Sequence, residues 1–235
     1  PNALADKELI TEDLQATDQN YSGSLKNDRG SILGLFYRFL PVGFYYKAFF
    51  KPRGIWEKWA SILRERAGLG VIDQKVTPGY YDKQYKFFDV VVVGGGPAGM
   101  QAAIDSAVDR CEVLLIDENP ILGGSLNYGR FDPVGSRGQL IRQELISAIE
   151  AKNNISVMTD AVCNGWFADN WLPVVAGNRL FKVRAAQTIL CTGSLEQPAL
   201  FHNNDLPGVI MGSAAQRMIH LYGVYPGSAA VILTG

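Results

Sequence analysis

Cysteine and histidine are scarce in this chain, and their spacing excludes most metal and dithiol chemistry. The three cysteines, Cys111, Cys163 and Cys191, lie far apart and form no CxxC pair. Neither a disulfide framework nor an iron–sulfur cluster is expected from them. Cys111 and Cys191 stand in apolar, strand-like runs and are expected as buried thiols, which suits a reducing compartment and a cytoplasmic setting. The two histidines, His202 and His220, share no ligand spacing with each other or with the cysteines, so no metal site is expected. His202 falls in a polar turn, His202-Asn203-Asn204-Asp205, and is expected to be structural. Neither a GxSxG elbow nor a GxxxxGK[ST] loop occurs, which removes support for hydrolase and NTPase readings. A formal charge of −1 offers no basic face for nucleic acid. The aromatic-rich stretch 32–50 is interrupted by Arg38, Pro41 and Lys47. It therefore falls short of the roughly 20 apolar residues of a membrane span. Packing against another domain or subunit is the expectation for it, with a membrane-surface position as the alternative.

What is present supports a large buried core, with 47% hydrophobic and 19% charged residues. The chain opens on Pro1-Asn2-Ala3-Leu4, which is no signal peptide, and closes on a strand-like run, Val231 to Gly235. Both ends read as cuts in a longer protein. Residues 1–54 are expected as an extended N-terminal arm, aromatic-rich in its second half. Residues 55–86 read as a short helix (55–67, with Trp56, Trp59, Ala60 and Leu63 near a 3–4 spacing) and a polar connector with a turn at Pro78-Gly79-Tyr80-Tyr81. Residues 87–235 read as a dinucleotide-binding domain truncated at its C-terminal end. Its expected elements alternate: strand Phe88–Val93, helix 98–108, strand 112–116, helix 138–152, strand 155–158. A β-meander over 161–184, a buried strand Ala186–Cys191, a helix 213–222 and a last strand 229–233 complete it. Such alternation indicates a parallel sheet with helices on its faces.

The chemistry is carried by Gly94-Gly95-Gly96-Pro97-Ala98-Gly99. A GxGxxG pattern is weak by itself, but here it follows a strand and opens a helix. Gly94 permits a tight turn, Gly96 lets backbone approach a pyrophosphate, and Gly99 lets the helix pack close to the sheet. The helix N-terminus then offers N–H groups and partial positive charge to phosphates. Asp117 and Glu118 stand about 20 residues beyond the glycines, where a carboxylate contacts the ribose. A carboxylate there would repel a 2′-phosphate, which favours NAD or FAD over NADP. Gly123-Gly124-Ser125 adds N–H groups near the ligand, and Thr192-Gly193 ends a strand far downstream. The expected fold is an FAD/NAD(P)-binding, Rossmann-like α/β domain.

These segments resemble the two-dinucleotide flavoproteins. The flanks are more specific: Pro41-Val42-Gly43-Phe44-Tyr45-Tyr46-Lys47, Trp56-Glu57-Lys58, Ala67-Gly68-Leu69-Gly70, Asn203-Asn204-Asp205-Leu206-Pro207-Gly208-Val209 and Tyr222-Gly223-Val224. With them the chain, from about residue 20 onward, resembles the alpha subunit of heterotetrameric sarcosine oxidase. The resemblance implies an oxidoreductase acting on CH–NH groups, working within a hetero-oligomer with a beta-type flavoprotein subunit and small subunits, on a small-molecule amine. It implies NAD in this glycine loop, with FAD in the beta subunit and FMN between subunits; FAD in the loop is the alternative. It also implies a ferredoxin-like domain before this region and, after it, the rest of the module and a folate-binding domain. Ala98, Asp117, Glu118, Asn119 and Ser125 would line the nucleotide, together with Gly94, Gly96, Pro97, Gly99, Gly124, Val162, Thr192 and Gly193. Asn119 departs from the family's Arg, and Asp109-Arg110 replaces a Gly-containing helix exit. No amine-oxidising catalytic residue is assigned in this chain. Two rival readings are a self-contained FAD-dependent pyridine-nucleotide oxidoreductase and a non-catalytic assembly module docking through Phe44, Tyr45 and Tyr46.

Overall fold

Four consecutive valines, Val90–Val93, need a sheet interior covered on both faces. The computed structural model of the chain describes residues 10–14, 23–24, 27–39, 51–66, 75, 77, 79–130, 137–204, 206 and 208–233. The chain divides into two units, Pro1–Pro78 and Gly79–Gly235. In the first, strands β1 (Gly23–Ser24) and β2 (Asn27–Asp28) pair antiparallel. A 3-10 helix, Arg29–Phe39, follows. The helix α1 (Trp56–Arg66) keeps Trp59, Ala60 and Leu63 half-buried while Trp56 and Ile62 are exposed. Ile32, Leu35, Phe36 and Phe39 are all exposed. Phe44, Tyr45 and Tyr46 lie outside the described residues.

The second unit is built on one six-stranded sheet. Its strands are β3 (Asp82–Val93), β4 (Val113–Ile116), β5 (Ile155–Met158), β6 (Ala161–Cys163), β7 (Trp171–Ala176) and β8 (Arg179–Leu190). Their spatial order is β5-β4-β3-β8-β7-β6. β3 lies parallel to both β4 and β8, and β4 parallel to β5; β7 runs antiparallel to β6 and β8. Helices α2 (Pro97–Ser106) and α3 (Arg137–Glu150) make the crossovers after β3 and β4, and α4 (Gly212–His220) follows β8.

The valine run divides between two cores. Val90 and Val92 join Val113, Leu115, Met100 and Ala103 of α2 and Ile149 of α3. Val91 joins Leu114 and Ile116 with Ala161, Leu172, Val174, Phe181 and Val183 of the meander. The helices therefore cover one face and the curled β6–β8 end covers the other. Each such side chain contributes about 1.5–3 kcal/mol on burial.

Four expectations are corrected here. The first strand begins at Asp82, because Asp82–Phe88 pairs in register with Arg179–Ala185. What reads as connector in sequence alternates because one face of this extension is open. At its end both Asp89 and Val90 donate to the Glu112 carbonyl (3.0 and 3.2 Å). The alternation breaks here: Phe88 packs on the meander-side core with Val91 and Val93, while Val90 and Val92 face the helix side. The expected buried strand Ala186–Cys191 is the end of β8, but Ala186, Gln187 and Leu190 are exposed. Residues 229–233 form no strand and stay exposed, since no described strand pairs with them. Cys111, Cys163 and Cys191 are free thiols and only half-buried. Cys191 still packs its side chain against the helix-side core.

Candidate functional site

Three parallel strands, β4, β3 and β8, end side by side, and the segments leaving them meet. In open α/β sheets the crevice beyond the carboxyl ends of the strands is where ligands bind. Gly94 leaves β3 with φ +106°, and a Cβ there would lie 2.2 Å from the Cys191 carbonyl oxygen. Its N–H donates to the Ile116 carbonyl (2.7 Å), while the Cys191 N–H donates to Val93 (2.8 Å). The glycine loop, the end of β4 and Thr192-Gly193 are thereby locked together. Gly99 sits so close to the loop that a Cβ would meet the Gly94 oxygen at 1.7 Å.

Gly96 behaves differently. It caps α2 in extended conformation with no side-chain capping bond, Pro97 occupies the first turn, and nothing lies within 4 Å of the position its Cβ would take. Space is therefore open beside the N-terminus of α2, where the helix carries partial positive charge. The second glycine pair closes one side. Gly123 (φ +125°) donates to the Gly95 carbonyl (2.8 Å), and a Cβ on Gly124 (φ +52°) would strike the Gly96 Cα at 2.9 Å. Ser125 follows in a 3-10 turn, Gly124–Asn127, and is exposed.

The two acidic residues have separate environments. Asp117 is 7% exposed. Its Oδ2 accepts from the Gly95 N–H, and its Oδ1 accepts from the N–H and the side-chain amide of Asn119 (2.7 and 2.9 Å). Glu118 is exposed at the strand end. Val162 follows Ala161, whose N–H donates to the Asp117 carbonyl (3.0 Å), so β6 starts beside the acidic pair. Val162 is half-buried and borders a shallow depression of about 630 Å³ with Tyr80, Tyr81 and Leu180. The structure thus brings Gly94–Gly99, Asp117–Asn119, Gly124-Ser125 and Thr192-Gly193 to one end of the sheet, whereas Val162, on the edge strand β6, borders a separate depression with Tyr80, Tyr81 and Leu180.

Sequence reasoning missed Arg142 and Glu196. The Arg142 Nε, on α3, donates to the Leu122 carbonyl (2.8 Å) and crosses the place where a Gly123 Cβ would stand. Glu196 holds α4: its carboxylate accepts from the N–H groups of Gly212 and Ser213 and from the Ser213 hydroxyl (3.2, 2.8 and 2.6 Å). The Ser213 hydroxyl and N–H hold the Glu196 carboxyl below its usual range, against a smaller desolvation effect. From its other end α4 reaches the segment after the second glycine pair. Arg217 lies over the Tyr128 ring (5.7 Å), and the Arg130 Nε donates to the His220 Nε2 (3.4 Å). These contacts span many residues, so no local sequence signal announces them. Among the described residues, no cluster of His, Cys, Asp and Glu could hold a metal ion. Likewise no described helix is long and apolar enough to cross a membrane.

Residues 89–196, which contain this site, match the family model described as FAD dependent oxidoreductase. The fold is Rossmann-like, and this match relates the domain to the FAD dependent oxidoreductases. Sarcosine oxidase subunit alpha of Rhizobium meliloti (strain 1021) is 32% identical over all of this chain and 25% of its own length. The same subunit of Corynebacterium sp. (strain P-1) is 32% identical over 74% of this chain and 19% of its own. Among solved structures, L-proline dehydrogenase from P. horikoshii shares 29% identity and a TM-score of 0.54, over 64% of this chain and 32% of that one. The chain is therefore a homologue, along its whole length, of sarcosine oxidase subunit alpha. It spans about a quarter of the first relative's length.

Proposed function

We propose that this chain is the dinucleotide-binding part of an alpha-type subunit in an amine- or amino-acid-oxidising flavoenzyme complex. The observation that carries the proposal is the open space over Gly96 at an uncapped helix N-terminus, walled by Gly124 and flanked by Glu118. The N–H groups of Gly96, Ala98 and Gly99 would hold a pyrophosphate. Glu118 would accept the ribose hydroxyls, and Ser125, the backbone at Val162 and Thr192-Gly193 would border the rest. Gly94 and Pro97 shape the loop. The residues would suit an adenine dinucleotide: nothing lies within 4 Å of a Gly96 Cβ, and the exposed Glu118 would serve the ribose. FAD agrees with the matched family's description. NAD is the second reading, favoured by the relation to sarcosine oxidase subunit alpha over the whole chain. Either group, when bound, supplies hydride acceptance; the chain's own residues bind and orient it. No proton-transferring residue is assigned, and amine oxidation is placed in a beta-type partner subunit.

The test uses the full-length gene product, co-expressed with a neighbouring beta-type subunit, purified and denatured, with released nucleotides identified by mass spectrometry. NAD together with FAD and FMN supports the complex and NAD in this loop. FAD alone, with no second subunit, supports a self-contained reductase instead. No nucleotide refutes the binding role and moves the reading to an assembly module. Sarcosine turnover by the present 235 residues alone would refute the division of labour between subunits.

A further inference from the structure

The peptide that joins Leu122 to Gly123 is held from both sides. Its N–H donates to the Gly95 carbonyl of the glycine loop at 2.8 Å. Its carbonyl accepts from the Arg142 Nε of α3 at 2.8 Å, and from the Asn127 side-chain amide at 3.3 Å. In a trans peptide these two groups point in opposite directions, so the peptide bridges the glycine loop and α3. The fit is close as well as polar. A Cβ on Gly123 (φ +125°) would lie 2.8 Å from the Arg142 Cδ, so the arginine stem occupies the room a side chain would need. A Cβ on Gly95 would run first into the Leu122 side chain, and one on Gly124 would strike the Gly96 Cα at 2.9 Å. Leu122 packs on the helix-side core, as do Ile141, Leu145 and Ile146 of α3. Arg142 therefore reaches the bridge from a helix fixed to the sheet.

We infer that Arg142 is a positioning residue that clamps the Leu122-Gly123 peptide onto Gly95 and so sets the wall beside Gly96. The inference rests on the dinucleotide-site reading above, and it gives Arg142 no contact with the nucleotide itself. A guanidinium N–H on a carbonyl is a charge-assisted bond, stronger than one between neutral groups. Without it only the longer Asn127 bond holds the Leu122 carbonyl. The peptide is then free to turn, its N–H leaves Gly95, and Gly124 no longer lies on Gly96. A wall that must be ordered at the moment of binding costs affinity that a preformed wall does not. The wall stands at the proposed pyrophosphate position, which FAD and NAD share, so the loss falls on either nucleotide alike.

The test compares Arg142→Met with Arg142→Lys in the full-length protein in its complex. Both keep an apolar stem beside Gly123, and only lysine keeps a charged donor. Amide hydrogen exchange on nucleotide-stripped protein reads the clamp, and titration with FAD and with NAD reads affinity. Arg142→Met should exchange about tenfold faster over 122–127, with β3 and β4 as protected as in wild type, and should bind about tenfold more weakly. Arg142→Lys should recover most of both losses. Weaker binding by Arg142→Met without faster exchange would make Arg142 a direct ligand contact and overturn the inference. Loss of folding, or faster exchange spread through β3 and β4, would make it a general stability residue and overturn it too. Equal behaviour of the two variants would show that the stem acts without the donor, with the same consequence. If wild-type protein bound neither nucleotide, the dinucleotide reading would fail by itself, because local exchange that rises in Arg142→Met and recovers in Arg142→Lys would still establish the clamp.

Discussion

Gly96 and Gly99 stand three residues apart in the same motif, yet the structure gives them opposite sensitivities. At Gly99 a methyl group would sit 1.7 Å from the Gly94 oxygen, against the 3.0 Å that real contacts respect, so α2 must move by about 1.3 Å. That displacement lifts Met100 and Ala103, both 0% exposed, away from the sheet. Overpacking of this kind costs about 3 kcal/mol, which for a chain of this size lowers Tm by roughly 6–12 °C. At Gly96 the methyl group meets nothing within 4 Å, and alanine for glycine at a helix N-cap costs about 1 kcal/mol or less. It would, however, occupy the space proposed above for a pyrophosphate. Losing one charge-assisted hydrogen bond is worth about 1.5–3 kcal/mol, so nucleotide affinity should fall at least about tenfold. Thermal unfolding and nucleotide titration of the two alanine variants in the full-length protein separate the effects. Gly99→Ala should melt early, and Gly96→Ala should melt near wild type but bind poorly. A Gly96→Ala protein that bound normally, or melted as early as Gly99→Ala, would refute the assignment of the open space to phosphate.

Other consequences are open to direct measurement. Arg110 holds a left-handed conformation (φ +62°) at the exit of α2, where an L side chain costs about 1–2 kcal/mol. Arg110→Gly should therefore stabilise the fold by about 1 kcal/mol in denaturant titration, less the glycine's greater unfolded-state entropy; a destabilised variant would refute the strain. The Glu196 carboxyl is held low by Ser213 in the folded chain. Its contribution is complete above its unfolded pKa and is lost as pH falls through the folded value. Amide protection over 212–220, taken relative to intrinsic exchange at each pH, should therefore fall on acidification through and below the usual carboxylate range, and Glu196→Gln should remove that dependence. Burial raises the Cys163 thiol, only partly offset by the backbone at Gly165. Alkylation of Cys163 at mildly alkaline pH should be slower than that of a free model thiol, and denaturation should abolish the difference.

Much of the site was legible along the chain. The glycine loop, Asp117-Glu118, Gly123-Gly124 and Thr192-Gly193 stood out because each needs a particular residue type at a turn or strand end. The alternation of elements and the meander were legible for the same reason, since burial imposes periodicity on side chains. The start of β3 was hidden. Asp82–Phe87 half-buries only Gln84 and Lys86 and leaves Lys83, Tyr85 and Phe87 exposed, so no apolar alternation marks it and its strand character exists only through its pairing with β8. The burial of Cys111 and Cys191 was overestimated because an apolar run shows hydrophobicity, not coverage. Two adjacent carboxylates, Asp117 and Glu118, were equal candidates for a ribose contact in the sequence. Only tertiary structure turned Asp117 inward onto Gly95 and left Glu118 at the surface. Local chemistry decides what a segment is able to form. Which of two adjacent side chains faces the loop is decided by a neighbour 22 residues away, and a linear chain carries no record of that contact.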